Sequence, residues 1–548
     1  MKESNVHPNV KTFVLHPFIF AVFPILSLYV KNLGRGFLGE AIAIAVGAAV
    51  LAALLWLFSS LLIKDGNRAA IIVSVFLVLF FTYGHAISAF RIVLERVHLL
   101  DRARFLVEGE PAQRLWLAAW TIVFITVSYL ILHLAHDPRV VTGFLNIVSL
   151  TLIAMVGVGF FTSGAFRASL MPRLRRVLAH AGSSNTAFLP LVASSPIDVG
   201  KMSERWWTNT IAGDADTGSD SAPDIYYIIL DMYARADYLE EIYDYDNSDF
   251  LSFLAKKGFY VASKSTSNYP YTTHSLASSL NLVYLDRIAD ELGEDYNDFS
   301  PSIALVKHSS LVERLRSRGY TIAAFSTGYW FTEIRDADVY MERPEWNPSE
   351  FQSGLANSTV LALLWKTQDD FHRNRVLYTL NHIADGTRID SPTFVFAHVV
   401  APHPPYAFGP NGEAVQSKPH DEYTYDEFKV AYRNQVASLN ARMKIVIEEI
   451  LSQSPEPPII IVQADHGSCF TEYYRNIPER MSILNAYYFP DQDYAALYEG
   501  ITPVNTFRVV LNKYFGADYE LLEDRNWFSS WDLPYAFTDV TDQVLAGP

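Results

Sequence analysis

Pro223-Asp-Ile-Tyr-Tyr-Ile-Ile-Leu-Asp231 and, much later in the chain, Ile459-Ile-Ile-Val-Gln-Ala-Asp465-His466-Gly467 decide how this protein folds. Each is a short, nearly continuous apolar run, the pattern of a strand buried on both faces. Each stops on side chains that ligate hard cations, at the strand ends where an open α/β sheet binds its ligands. Further strand-like runs lie near 258–263, 320–325, 393–399 and 482–489, with helical patterns such as 247–257, 309–318 and 425–452 between them. This alternation predicts an α/β/α sandwich around a mostly parallel sheet.

The chemistry is read from what the strand ends carry. Asp231, Asp465 and His466 offer two carboxylates and an imidazole, donor types a divalent cation accepts. Neighbouring Asp465 and His466 reach one ion only if the strand turns at once into a loop, and Gly467 permits that turn. Between the two strands, Tyr269-Pro-Tyr-Thr-Thr-His-Ser-Leu-Ala-Ser-Ser-Leu-Asn281 starts a helix on a pair of hydroxyls. Thr272 is the candidate nucleophile and a fourth metal ligand, because a hydroxyl attacks well once a metal lowers its pKa. The helix start also aims free N–H groups and a positive dipole end at an incoming phosphoryl oxygen. A threonine here can equally serve as a plain N-cap, and spacing alone does not separate Thr272 from Thr273.

Three further residues are candidates for contact with substrate. His403, in Ala-Pro-His-Pro-Pro-Tyr, follows the strand Phe-Val-Phe-Ala-His-Val-Val directly. Its flanking prolines favour extended backbone, which projects a side chain into a cleft for substrate contact or proton donation; a structural turn is the alternative. His398 lies inside that strand, and Trp330 follows Phe-Ser-Thr-Gly-Tyr. Both are candidate substrate-binding residues, with core packing as the competing role. Cys469 is the single cysteine, so no intramolecular disulfide forms; it reads as a small buried hydrophobe rather than a thiol ligand.

The 548 residues divide by composition. Residues 1–200 hold 16 Lys+Arg against 9 Asp+Glu, whereas residues 201–548 hold 27 against 50. The acidic part argues against a nucleic-acid partner, so an anionic substrate must be held by a metal and a few local cations. The basic part carries five apolar stretches, at about 13–30, 41–63, 69–90, 115–135 and 140–162, each near the ~20 residues that cross a bilayer. Five in succession form an anchor or bundle, not a signal peptide. The expected organisation is a transmembrane domain at 1–165, a juxtamembrane linker at 166–222 with Trp206 and Trp207 at the membrane surface, and a soluble domain at 223–548. Arg91, Arg96, Arg102, Arg104 and Arg114 in one loop, and Arg167, Arg173, Arg175 and Arg176 after the last span, place the soluble domain in the cytoplasm by the positive-inside rule. Against that count, the 91–114 loop also carries acids and its apolar spacing predicts a helix lying in the interface, so the residues alone leave the side open.

These motifs resemble the alkaline phosphatase/sulfatase superfamily, and within it the membrane-anchored lipoteichoic acid synthase-like proteins. The resemblance covers the whole chain in outline. Pro223–Asp231 matches the opening strand, so Asp231 is implied as first metal ligand; Asp465-His466-Gly467 matches the second ligand pair. Thr-Thr-His-Ser-Leu-Ala-Ser-Ser-Leu-Asn matches the nucleophile helix, in a register that selects Thr272, and Thr502-Pro-Val-Asn-Thr-Phe-Arg508 matches a late structural motif. True sulfatases need Cys or Ser in a Cys/Ser-x-Pro-x-Arg context, which Thr272 and its followers lack, so sulfate ester hydrolysis is not expected. Two-metal phosphatases use further histidines beyond the Asp-His pair, and none follows His466, so one cation is expected.

The resemblance implies a membrane-bound metal-dependent phosphotransferase working outside the cytoplasmic membrane, against the arginine count. It would move a phosphoglycerol- or phosphoethanolamine-type group from a membrane phospholipid to an envelope glycan or lipid through a phosphothreonine. Two carboxylates, an imidazole and a hydroxyl suit manganese or zinc better than magnesium. A phosphodiesterase transferring to water uses the same residues, and a non-catalytic binding protein is the remaining alternative.

Overall fold

The computed structural model describes residues 13–32, 38–162 and 222–546, apart from short gaps at 98, 100–102, 108, 135–136, 346–347, 364–367, 391, 419–421, 469 and 471–475. The linker with Trp206 and Trp207, and Cys469, lie outside the described residues. The chain forms two compact units: residues 1–167 with 350–366, and residues 168–349 with 367–548.

The first unit is built on helices α1 (His16–Lys31), α2 (Leu38–Ile63), α3 (Gly66–Arg96), α4 (Gly109–Leu134) and α5 (Pro138–Thr162). The last four are long and apolar enough to cross a membrane; α1, with 16 residues, is shorter. The interfacial helix expected over 91–114 is not one element. Instead α3 runs on to Arg96, α4 starts at Gly109, and a 3-10 turn at Arg104–Leu106 lies between. Asn146, polar in an apolar helix, has a definite task. Its Oδ1 accepts from the N–H groups of Leu15 and His16, both at 3.0 Å, satisfying amides that the start of α1 leaves open.

A helix at Glu350–Ser358 also belongs to this unit and packs on α3, with Leu355 against the cluster of Phe20, Val73, Leu77 and Phe81. Gly84 makes the approach possible, since a Cβ there would stand 2.2 Å from the Asn357 carbonyl oxygen.

The second unit is organised by a seven-stranded sheet in the order β2-β7-β6-β1-β5-β3-β4. The strands are β1 Ile225–Leu230, β2 Tyr260–Val261, β3 Thr321–Phe325, β4 Val339–Met341, β5 Thr393–Val399, β6 Ile459–Gln463 and β7 Asn485–Tyr488. β6, β1, β5, β3 and β4 run parallel, and β7 and β2 extend one edge antiparallel.

All six residues of β1 are buried, which is why its sequence shows no polar alternation. Tyr226, Ile228 and Leu230 join the core on one face; Ile225, Tyr227 and Ile229 join the core on the other. The first face is covered by the helix Tyr425–Gln453, started by a capping box between Thr424 and Glu427. The second is covered by Thr272–Asn281 and Pro503–Phe515. Asp231, Asp465 and His403 thus follow the ends of three adjacent parallel strands, β1, β6 and β5.

Candidate active site

Three donor atoms converge where β1 and β6 end. Asp231, Asp465 and His466 each offer one ligand atom, all within 4.8 Å of one another, and all three residues are buried. The carboxylates are held from behind. Asp465 Oδ1 accepts from the N–H groups of Met232 (3.0 Å) and His466 (2.9 Å). Asp231 Oδ2 lies 3.1 Å from His398 Nε2, whose Nδ1 lies 3.0 Å from Thr332 Oγ1. The other oxygens, Asp231 Oδ1 and Asp465 Oδ2, are buried without a hydrogen-bond partner. Both face His466 Nε2, at 3.8 and 3.4 Å.

The tautomer of His466 makes this cluster able to accept a cation. Its Nδ1 lies 3.0 Å from the Gly467 carbonyl oxygen and therefore carries the proton, which leaves the Nε2 lone pair facing two carboxylate oxygens. Three buried lone-pair centres aimed at one point repel one another, and a divalent cation between them satisfies all three. The residues fit such an ion.

Electrostatics agree. Burial, then the nearby Arg480 charge, pushes His466 well below the ordinary histidine range, so it is neutral and able to ligate. Burial would raise Asp231, but His403 and the hydrogen bond from His398 outweigh it and hold this carboxyl low. Burial and then the charge of Asp231 raise Asp465, so the first proton the pair takes up goes to Asp465.

Thr272 is the first residue of its helix and spends no hydroxyl on capping; Tyr271 is the N-cap. Thr272 Oγ1 stands 3.3 Å from His466 Nε2, at the edge of the cation position, while the Thr273 hydroxyl is buried without a partner. Gly467 contributes space rather than a left-handed φ. A Cβ there would meet the carbonyl oxygens of Glu479 and Ser482 at 2.1 and 2.6 Å.

His403 is half-buried, with its N–H bonded to the Asp231 carbonyl oxygen at 3.1 Å and its Nδ1 3.0 Å from the Tyr329 hydroxyl. His398 sits behind Asp231 and orients it. The Trp330 ring lies under the Lys307 ammonium and meets Phe331 edge-on, and the neighbouring Tyr329 is the residue that reaches His403.

Two residues near the site gave no signal in the sequence. Arg480, 5% exposed, donates Nε–H to the Pro270 carbonyl oxygen and places Nη2 3.2 Å from His466 Nε2. His372, on the helix Gln368–His382, is buried with an unpartnered Nε2, and burial pushes it down to about 3. Each comes from a segment whose local pattern is ordinary, and only the tertiary fold brings it in.

The seven-stranded, mainly parallel sheet thus carries an Asp and an Asp-His pair at adjacent strand ends, with a Thr at the start of a neighbouring helix. The sulfatase family model matches residues 223–510, more than half of the chain, and the chain belongs to the sulfatase family. A comparison with curated proteins finds no match.

Similar solved structures include the C-terminal periplasmic domain of EcEptC from Escherichia coli, at 12% identity over 59% of this chain and 94% of that one, TM-score 0.40. The soluble domain of lipooligosaccharide phosphoethanolamine transferase A from Neisseria meningitidis has 14% identity over 54% of this chain and 88% of that one, TM-score 0.38. The integral membrane form of that transferase has 13% identity over 91% of this chain and 94% of that one, TM-score 0.38. The family assignment rests on the match over 223–510.

Proposed function

We propose that this protein is a membrane-anchored, metal-dependent phosphotransferase that moves a phosphoglycerol- or phosphoethanolamine-type group from a membrane phospholipid to an envelope glycan or lipid. One observation carries the reading: two unpartnered carboxylate oxygens and a helix-start hydroxyl all face a single imidazole nitrogen. Asp231, Asp465 and His466 would hold one divalent cation, manganese or zinc in preference to magnesium, with Thr272 Oγ1 at its edge. Such an ion, when bound, lowers the hydroxyl pKa and offsets charge on the phosphoryl oxygens.

Thr272 Oγ1 gives up its proton to solvent and attacks phosphorus, forming an O–P bond as the bond to the diacylglycerol oxygen breaks. His403 gives that departing oxygen a proton. An acceptor hydroxyl then attacks that phosphorus as His403 takes its proton; the Thr272 Oγ1–P bond breaks and Oγ1 recovers a proton from solvent. His398 and Thr332 keep Asp231 aimed at the cation position. Thr272 has no route to formylglycine, so family membership does not make the protein a sulfate ester hydrolase. The catalytic unit is assigned to the extracytoplasmic side on the resemblance, against the arginine count. A reporter fused after Pro548 that is active only in the cytoplasm would reverse that placement.

Peptide mass spectrometry tests the chemistry on full-length protein in detergent, incubated with envelope phospholipids and manganese. A phosphate-containing adduct on Thr272 is expected, and its mass identifies the transferred group. An unmodified Thr272 together with no lipid turnover refutes the reading. Transfer to water alone is the second reading, since it needs no residue beyond those named. Product analysis with and without a polyol acceptor separates the two.

A further inference from the structure

The guanidinium of Arg480 is buried beside His466 in a domain whose excess charge is strongly negative. It spans both loops that build the site. Nε donates to the Pro270 carbonyl oxygen at 2.8 Å, two residues before Thr272, and Nη1 donates to the Gly467 carbonyl oxygen at 3.3 Å. Nη2 donates to His466 Nε2 at 3.2 Å, the same nitrogen that Thr272 Oγ1 approaches at 3.3 Å. A guanidinium and a hydroxyl therefore flank one lone pair.

That lone pair is the one the cation position requires. A ligating nitrogen has a single lone pair, so Nη2–H gives up this acceptor when His466 binds an ion. The acceptor that arises beside it is a phosphoryl group on Thr272, whose oxygens carry the charge a guanidinium recognises best. Resting on the phosphotransferase reading above, we propose that Arg480 is the phosphoryl-binding cation of this site: it engages a non-bridging oxygen of the phosphodiester and of the phosphothreonine, and in their absence rests on His466.

Backbone links hold the segment as well as this side chain does. Gly467 N–H donates to the Arg480 carbonyl oxygen and Ser267 N–H to the Met481 carbonyl oxygen, both at 2.7 Å, and Arg235 N–H donates to Ser482. A side-chain substitution leaves those backbone links in place. Neighbouring Glu479 does not neutralise the phosphoryl position, because its carboxylate is turned to Tyr243, Ser468 and Asn476.

The test compares full-length wild type, Arg480→Met and Arg480→Lys in detergent, with inorganic phosphate as probe. Phosphate affinity is measured by calorimetry in chelator and again with manganese, and manganese affinity is measured alone. Arg480→Met should lose at least tenfold in phosphate affinity in both conditions while binding manganese as tightly as wild type or more so, since a competitor for His466 is gone. Arg480→Lys, which keeps the charge and loses the fork, should fall between the two. It also serves as the test variant if the methionine protein misfolds. Phosphate affinity that is unchanged in both folded variants, or that falls only in step with manganese affinity as loosened Pro270 and Gly467 loops would make it, overturns the proposal. Wild type that binds no phosphate with manganese present would instead refute the phosphotransferase reading itself. The two failures are therefore distinguishable.

Discussion

Asp231→Asn should remove most of the stabilisation that a divalent cation gives this protein. Asp231 and Asp465 present buried ligand atoms within 4.8 Å of each other. At an effective dielectric constant of about 20, two unit charges at that distance repel by about 3.5 kcal/mol, and the amide relieves that repulsion. Against it, His403 and His398, which hold the Asp231 carboxyl low, lose their charged partner. The two effects oppose each other, so in chelator the variant and wild type should unfold within about 4 °C of one another. Metal separates them. A ligand at one hundred times its dissociation constant stabilises wild type by about 2.7 kcal/mol, and the variant, short of one carboxylate, should gain little at the same concentration. Thermal unfolding of both proteins in detergent, with EDTA and then with manganese or zinc, reads the separation directly. A variant far less stable than wild type in both conditions would mean that Asp231 is a structural carboxylate. Equal metal-induced shifts in the two proteins would mean that it is not a ligand.

Thr272→Ala should reduce turnover by at least about 10³-fold and abolish the phosphorylated intermediate, whereas Thr273→Ala should stay within about tenfold of wild type; lipid-product assays that reverse this order reassign the nucleophile. Gly467→Ala should lower stability by about 1–3 kcal/mol and weaken metal binding, because its Cβ would collide with backbone oxygens rather than with a movable side chain, as thermal and calorimetric titration would show. His372 is buried neutral with its folded pKa pushed from 6.5 down to about 3. Stability from this residue is complete above about pH 6.5 and is lost as pH falls towards 3, so between pH 6.5 and 5 it should withdraw about 2 kcal/mol. Denaturant titrations of His372→Phe should show a flatter pH dependence by that amount, and an unchanged slope would mean that His372 is protonated in the folded state.

The cluster of Asp231, Asp465 and His466 was legible because β1 and β6 are buried on both faces and so read as unbroken apolar runs, which makes the polar residue ending each one conspicuous. The helix opened by Thr272 was legible for a similar reason, since paired hydroxyls precede an apolar turn. The choice between Thr272 and Thr273 was not, because it depends on which hydroxyl the backbone turns towards His466. Arg480 and His372 carry no periodic or terminal signal; strand order and helix packing bring them to the site. Tyr329, not Trp330, reaches His403, a distinction of one residue in a loop that no periodicity governs. The antiparallel edge formed by β7 and β2 also escaped, because β7 is buried like its parallel neighbours and strand direction leaves no mark on composition.

The helix at Glu350–Ser358 comes from the middle of the catalytic sequence yet keeps company with α3. The polypeptide is therefore stitched to its membrane body by three covalent threads rather than one: the stretch that follows α5, and the two strands of chain that leave and rejoin at 350 and 366. A protein cut at residue 223 would carry Leu355 without the Phe20, Val73 and Leu77 side chains that shelter it. Such a fragment is expected to be stickier than its acidic composition implies. The same bracing means that proteolysis of the 166–222 stretch alone should not release the catalytic unit from the bilayer.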